Sequence, residues 1–284
     1  MKLEQAIRKY EKHIKVYLSD GTVRYFYGKK KYILEYLGDH ECSEINSEVL
    51  EDFIINLKIK NPKISNVTLN KYLKMIRQIL GHSCKIKLEI EKLPEIKKIT
   101  IMVPITIRKA IYDYFELDLN NMYQLRNYIM FRLFFETGLR LSELGNLRIN
   151  DFDMINKSIH VKRTKTNIER FVFYLEETNK LLHKYIVLLR ITDYIFINFE
   201  TKARLQVYSL GTIISRIRKK LNIQQSISPH KWRHTFANGF INRNGNIEVL
   251  RQIMGHTSLL TTQKYLHLNK ENLQKEYIRV NNLR

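Results

Sequence analysis

Four short segments of this 284-residue chain hold residue types that can grip or transform a phosphate, and they lie far apart in the sequence. In Thr137-Gly138-Leu139-Arg140-Leu141-Ser142-Glu143-Leu144, Arg140 follows a helix break. Glu143 stands three residues on, on the same face if a new helix starts there. A carboxylate beside an arginine fixes the guanidinium fork and leaves donors for a phosphate. The plainer alternative is an exposed ion pair at a helix start. The second segment is Lys162-Arg163-Thr164-Lys165-Thr166-Asn167-Ile168-Glu169-Arg170, where a lysine at a hairpin tip can reach a ligand or simply sit in a solvated turn. In Ser228-Pro229-His230-Lys231-Trp232-Arg233-His234-Thr235, Ser228 suits an N-cap and Pro229 the first helical position. His230 and Arg233 then share one side of the first turn and point, with the helix amides, at one spot suited to a phosphate. The alternative is a partly buried histidine with an exposed arginine. The fourth segment runs from Met254 to Tyr265: Gly255-His256 closes one helix, Thr257 or Ser258 opens the next, and Tyr265 follows nine residues after His256. The chain has 17 tyrosines, so Tyr265 by itself reads as packing or surface.

The charge balance agrees with a phosphate ligand. Lys plus Arg number 49 against 28 Asp plus Glu, a net charge of +21. Residues 1–98 carry 20 basic against 13 acidic side chains and residues 99–284 carry 29 against 15, so both halves are basic. Such an excess attracts polyanions, DNA or RNA first. A basic solvated surface or an anionic membrane are the other readings. Charges interrupt every apolar stretch, so no membrane span is expected, and Met1-Lys2-Leu3-Glu4 lacks the apolar core of a signal peptide. Cys42 and Cys84 form neither a metal-ligand spacing nor a disulfide framework and read as buried thiols of a reducing cytoplasm. There is no Walker-type glycine loop and no metal-ligand cluster, so no cofactor or metal is expected.

The elements that must position these segments are mostly helices. Gly is 10 and Pro only 4, so turns are few. Apolar residues recur at helical spacing at Tyr32, Ile33, Tyr36 and Leu37, at Val49, Phe53, Ile54 and Leu57, and at Leu69, Leu73, Ile76 and Leu80. Gly38, Asn61-Pro62 and Gly81 punctuate them, and Ser65 or Asn66 suits the last N-cap. A charged run broken by Pro94 and Pro104 reads as a linker. The expected organisation is a helical domain over 1–92, a linker over 93–104 and a second domain over 105–284. In that second domain Tyr128 to Phe135 reads as a buried helix ending at Thr137-Gly138, with Gly138 a left-handed cap. Ser158 to Val161 and Phe171 to Leu175 read as strands joined by the polar turn Thr164 to Ile168. The expected class is mainly α with a small β-hairpin or sheet in the second domain.

Taken together, the Arg-Leu-Ser-Glu-Leu segment, His-x-x-Arg, Gly-His and a tyrosine nine residues later resemble the tyrosine recombinase (phage integrase) family, in the family's order and at similar separations, from about residue 105 to 268. The helical region before it looks like that family's core-binding domain, and the overall length resembles its compact, Xer-like two-domain type. The resemblance implies that Arg140 and Arg233 grip a scissile phosphate, that Tyr265 is the nucleophile, and that Lys165 is the hairpin lysine. It makes His230 and His256 the two histidines of the site and Glu143 the support of the first arginine. Relatives often carry glycines around the hairpin lysine, whereas this chain has Arg163-Thr164-Lys165-Thr166, which leaves Lys162 as a second choice.

The chemistry explains the residue types. A phosphodiester gains charge on its non-bridging oxygens in the transition state, and two fixed arginines stabilise it. A free tyrosine has a pKa of about 10, so a histidine and the arginines must favour its phenolate. The leaving 5′-oxygen needs a proton, for which Lys165 is the best placed acid, and His256 hydrogen-bonds the phosphate. A 3′-phosphotyrosyl ester with a free 5′-hydroxyl results, resealable without ATP or metal. The resemblance further implies double-stranded DNA as substrate, a homo-tetramer (or pseudo-tetramer with a related recombinase) on paired sites, and a cytoplasmic, nucleoid-associated location. It leaves room for a directionality or activator protein. Leu273, Tyr277, Ile278 and Val280 give the final segment an apolar face suited to docking on a neighbour or on its own domain. The rivals are a type IB topoisomerase, which nicks and reseals as a monomer, and a DNA-binding protein that keeps the fold without cutting.

Overall fold

The computed structural model describes residues 1–96, 102–162 and 168–263 and divides into two compact units, Met1–Lys98 and Ile99–Arg284. The first is all helical: α1 Leu3–Tyr17, α2 Asp20–Leu37, α3 Ser47–Lys60 and α4 Asn66–Cys84. Each buries one stripe. Leu3, Ala6, Ile7, Tyr10 and Ile14 of α1 lie against Leu69, Leu73, Ile76 and Leu80 of α4, with Ile33 and Leu37 of α2 and Phe53 and Leu57 of α3 completing the core. α1 is an addition to the three expected helices. Ser65 is the N-cap of α4, its hydroxyl accepting from the Thr68 amide at 3.3 Å. Gly81 does not stop that helix, which runs on to Cys84 and ends at Lys85 in the left-handed region. Of the two cysteines only Cys42 is buried, and Cys84 is half-buried. Burial, helped by a hydrogen bond to Cys84, pushes the Cys42 thiol up to about 12.

Residues 85–96 have no regular structure, and part of this segment is tied along α4. Asn70 holds Leu93 by both backbone groups at 2.9 Å, and Arg77 holds the carbonyls of Leu88 and Ile90 at 3.1 and 2.9 Å.

The second unit is built around a helix buried on all sides. After α5 Ile105–Glu116, α6 Met122–Thr137 buries Leu125, Tyr128, Ile129, Met130, Phe131, Leu133 and Phe134, and Asn121 caps its start. The sequence reading found the apolar second half of α6. Its first turns are hidden in the sequence by polar and basic residues such as Arg126, which is itself buried and donates to the Ile197 carbonyl at 3.2 Å. Then come α7 Leu141–Leu144, a 3₁₀ turn Ile149–Asp151, and an antiparallel sheet β1 Phe152–Asp153, β2 Ser158–Val161 and β3 Arg170–Phe173, in the order β1-β2-β3. Val161 opposes Arg170, and Ile159 opposes Val172. β3 therefore starts and stops earlier than the expected Phe171 to Leu175. Leu175 has already left the sheet as the N-cap of α8 Glu176–Leu189, its amide donating to Glu136 at 2.9 Å. The polar turn expected at Thr164 to Ile168 falls largely outside the described residues. α9 Val207–Lys220, α10 Pro229–Asn242, α11 Ile247–Met254 and α12 Leu259–Gln263 follow. Trp232 of α10 is fully buried edge-on against Phe135 of α6, with ring centroids 4.2 Å apart. The apolar final segment expected from Leu273 to Val280 lies outside the described residues.

Gly138 ends α6 at φ +63°, and a Cβ there would stand 2.5 Å from the Phe236 ring. Gly138→Ala should therefore lower the unfolding free energy of the second unit by about 2–4 kcal/mol, combining a left-handed penalty with overpacking. Urea denaturation followed by Trp232 fluorescence reads this directly, and an unchanged midpoint would contradict it.

Candidate active site

The carboxylate of Glu143 is buried, with 2% of the residue exposed, at the third position of α7. Oε2 accepts the Arg140 backbone N–H at 2.8 Å, which closes the start of this short helix, and Oε1 accepts Nη1 of Arg140 at 2.7 Å. Arg170, the first residue of β3, supplies a second fork: Nη1 to Oε1 at 3.1 Å and Nη2 to Oε2 at 2.8 Å. Burial by itself pushes this carboxyl up. The hydrogen bonds and charge of Arg170, together with the Arg140 amide and guanidinium, overcome it and hold the group at about 2.

Arg170 also donates from Nε to the Ile253 carbonyl at 2.6 Å, near the end of α11. Gly255 packs directly against this side chain. At φ +60° it ends α11, and a Cβ on it would stand 3.0 Å from Cδ and 3.2 Å from Nη1 of Arg170. The Gly255 carbonyl in turn lies 3.5 Å from Nη2 of Arg140.

Arg233, buried in the first turn of α10, points inward. Nη1 donates to the Gly138 carbonyl at 2.7 Å, and Nη2 donates to the Met254 carbonyl. Nη2 also meets Nε2 of His256 at 3.2 Å. A guanidinium only donates, so Nε2 accepts and the Nδ1 of a neutral ring carries the proton. Nδ1 is 2.9 Å from the hydroxyl of Thr262, which is fully buried on α12. The ring orientation is thus fixed from both nitrogens.

All four sequence segments accordingly meet: Arg140 and Glu143 of the first, Arg170 at the end of the second, Arg233 of the third, and Gly255-His256 of the fourth. His230 is exposed at the start of α10, so within that segment the arginine is the buried member and the histidine the exposed one. Ser228 occupies the N-cap position but makes no side-chain cap bond. Lys162 pairs with Asp151 at 3.2 Å. Lys165 and Tyr265 lie outside the described residues. The described part of α12 reaches Gln263, two residues before Tyr265 in the sequence. Sequence reasoning missed Arg170 and Thr262. Arg170 left a signal: in β3 it shares the inward face with Val172, while Phe171 and Phe173 face out, so an arginine stands where an apolar residue is expected. Thr262 left none, since a threonine among polar neighbours reads as surface.

Because Glu143 has its folded pKa depressed from 4.5 to about 2, its stabilisation is complete above the unfolded pKa and drains as pH falls from about 4.5 towards 2. The depression corresponds to about 3 kcal/mol. The gap in unfolding free energy between the wild type and Glu143→Gln should shrink by roughly that amount between pH 6 and pH 2.5. Denaturant titrations across that range measure it, and a gap independent of pH would show that the arginines do not hold the carboxylate ionised.

The comparisons with known proteins extend over both units. The model of the phage integrase family matches residues 108–272, and that of the phage integrase SAM-like domain matches residues 2–99. Tyrosine recombinase XerA of Saccharolobus solfataricus is 29% identical over 271 residues, covering 92% of this chain and 87% of the relative. A probable integrase/recombinase of Acholeplasma phage L2 is 27% identical over 291 residues, covering 99% and 98%. Among solved structures, a XerA recombinase superposes with a TM-score of 0.56 at 25% identity over 97% of this chain and 98% of that one. The Tn1549 transposon integrase, in complex with a circular intermediate DNA, superposes with a TM-score of 0.80 over 99% of both chains, and at 19% identity that likeness speaks for the fold. The matching model spans more than half of the chain, its relatives along nearly the full length are recombinases, and the paired arginines and Gly-His lie within the matched region; the chain belongs to the phage integrase family and is a tyrosine recombinase, an enzyme of site-specific DNA cleavage and rejoining.

Proposed function

We propose that Tyr265 attacks a scissile phosphate of double-stranded DNA held by Arg140 and Arg233, giving a 3′-phosphotyrosyl ester and a free 5′-hydroxyl. One observation carries the reading: Arg140, Arg233 and His256, 116 residues apart from first to last, are brought to one place and fixed there by Glu143 and by the carbonyls of Gly138, Met254 and Gly255. Among the described residues the cluster sets three guanidinium groups against the Glu143 carboxylate, an excess of positive charge that a phosphate is suited to meet. Arg140 and Arg233 stabilise the charge that develops on the non-bridging oxygens. His256, once phosphate draws the donors of Arg233, takes up a proton at Nε2 and donates to the phosphate. His230, exposed at the start of α10, contacts the phosphate or receives the tyrosine proton. Lys165 protonates the leaving 5′-oxygen. The pairing of Lys162 with Asp151 supports that choice over Lys162.

The rest of the reading follows from exchange chemistry. The ester conserves the energy of the broken phosphodiester, so a 5′-hydroxyl from a second duplex can displace the tyrosine. The first unit, net basic over residues 1–98, holds the DNA flanking the cut. A tetramer on paired sites, made from this chain alone or with a related recombinase, cuts one pair of strands at a time. An accessory protein sets its direction. The protein works on chromosomal or mobile-element DNA in the cytoplasm. Among the described residues no helix is long and apolar enough to cross a membrane.

Covalent trapping tests this. Cells expressing the wild type or Tyr265→Phe are lysed in denaturant, and the DNA joined to protein is recovered and sequenced. The expected outcome is DNA joined by its 3′ end at one recurrent junction, absent with Tyr265→Phe. Arg233→Ala should lower adduct yield at least about 100-fold, as expected for removing a donor to transition-state charge. Adducts scattered over unrelated sequences would point to topoisomerase-like nicking, and no adduct from the wild type would overturn the proposed chemistry.

A further inference from the structure

We infer that Arg170 is a positioning residue for DNA cleavage, which occupies Glu143 so that the outward donors of Arg140 are left for the phosphate. This rests on the reading of Arg140 as a phosphate ligand.

The geometry separates the two arginines by depth. The Arg170 side chain is 4% exposed and that of Arg140 is 20% exposed, although both bond the same carboxylate. Arg170 spends its fork on Glu143 and its Nε on the Ile253 carbonyl, so all three of its guanidinium nitrogens point into the protein. Arg140 gives Glu143 only Nη1 and its backbone amide. Its Nη2 makes one long contact of 3.5 Å to Gly255, and its Nε bonds no described residue. A carboxylate has about four lone-pair sites, and here four N–H donors fill them.

Removing the Arg170 fork would leave two of those sites empty in a buried place. The nearest replacement is Arg140, which can rotate into a two-pronged pair with Glu143, the preferred geometry of arginine and carboxylate. That rotation would withdraw the donors proposed to meet the phosphate. Charge gives the same result. Arg170 and Glu143 cancel, which leaves the charge of Arg140 to the phosphate. Without Arg170, the Glu143 charge falls on Arg140 alone. The Ile253 bond adds a second effect, since it ties β3 to the turn that carries Gly255 and His256.

The test uses the full chain and a nicked duplex bearing the junction recovered by covalent trapping. Single-turnover adduct formation, gel-shift affinity and thermal midpoint are measured for the wild type, Arg170→Lys, Arg170→Met, Glu143→Gln and the double variant Arg170→Met/Glu143→Gln. Lysine keeps the charge but is a point donor that cannot reproduce the two-pronged pair with Glu143 while also holding Ile253 from a separate nitrogen. Arg170→Lys should therefore keep its fold and bind the duplex within about 3-fold of the wild type, yet form adduct roughly 100-fold more slowly, the penalty of a misplaced catalytic group. The double variant should lose far less than the product of its two single losses, because a neutral amide in place of the Glu143 carboxylate no longer draws Arg140 inward. Should Arg170→Met fail to fold, Arg170→Lys alone decides. Wild-type adduct together with a normal rate for Arg170→Lys, or with strictly multiplicative losses in the double variant, would overturn the role given to Arg170. No wild-type adduct on the duplex would overturn the proposed function itself, and this inference with it.

Discussion

An ionised carboxylate buried between two guanidinium groups sets the constraints that the second unit obeys. Taking a carboxylate out of water costs several kcal/mol, and only close hydrogen-bonded cations repay it. Glu143 meets that condition through Arg140 and Arg170, with the Arg140 amide as a third partner. Distant parts of the sequence are shaped by this one requirement. β3 opens with an arginine on its inward face, where Val172 continues the apolar row. Residue 255 sits at φ +60°, which favours glycine, and a Cβ there would crowd the Arg170 side chain at 3.0–3.3 Å. α7 needs only four residues, since its side chain at position 143 closes its own first turn and anchors it to the strand.

The arginines are held in two different ways. Arg140 and Arg170 share a carboxylate, whereas Arg233 is held by carbonyls at the ends of two helices, Gly138 after α6 and Met254 at the end of α11, and by a neutral imidazole nitrogen. Both helices stop at a glycine of positive φ, which turns the chain sharply and leaves carbonyls without helical partners. Helix C-termini favour cations through the dipole without neutralising them. The two left-handed glycines thus share one electrostatic consequence: among the described residues, the helix ends they create hold Arg233 by backbone carbonyls, which carry no full charge.

Much of this was legible in the sequence, for identifiable reasons. Gly138 after an apolar run, Pro229 behind Ser228, and Gly255 before His256 are local signals, and each marks a helix boundary seen in the structure. The stripes of α3 and α4 were readable because their periodicity is regular. α1 has an equally regular stripe at Leu3, Ala6, Ile7, Tyr10 and Ile14, but it lies among dense charges, and its partner is more than sixty residues away in α4. The part of the cluster least visible was the part held by distant contacts. Arg170 reaches back to Glu143 and forward to Ile253, and nothing in the local spacing of a hairpin signals either partner. The direction of Arg233 was hidden for the same reason, since its partners come from two other helices.

The two ways of holding an arginine have different consequences for a bound anion. A carboxylate competes with a phosphate for guanidinium donors on nearly equal terms, both being anionic and both suited to the arginine fork. A backbone carbonyl or a neutral imidazole competes weakly. Arg233 bonds two carbonyls and an imidazole nitrogen, described partners that hold it without cancelling its charge. Arg140 shares its carboxylate with Arg170 and gives it only Nη1 and the backbone amide. The surroundings of the two arginines follow: Arg233 sits among helix ends, and Arg140 has Arg170 behind it. His256 fits the same scheme. Its Nε2 accepts from Arg233 while its Nδ1 is tied to Thr262 on the last described helix, so the ring joins Arg233 to α12.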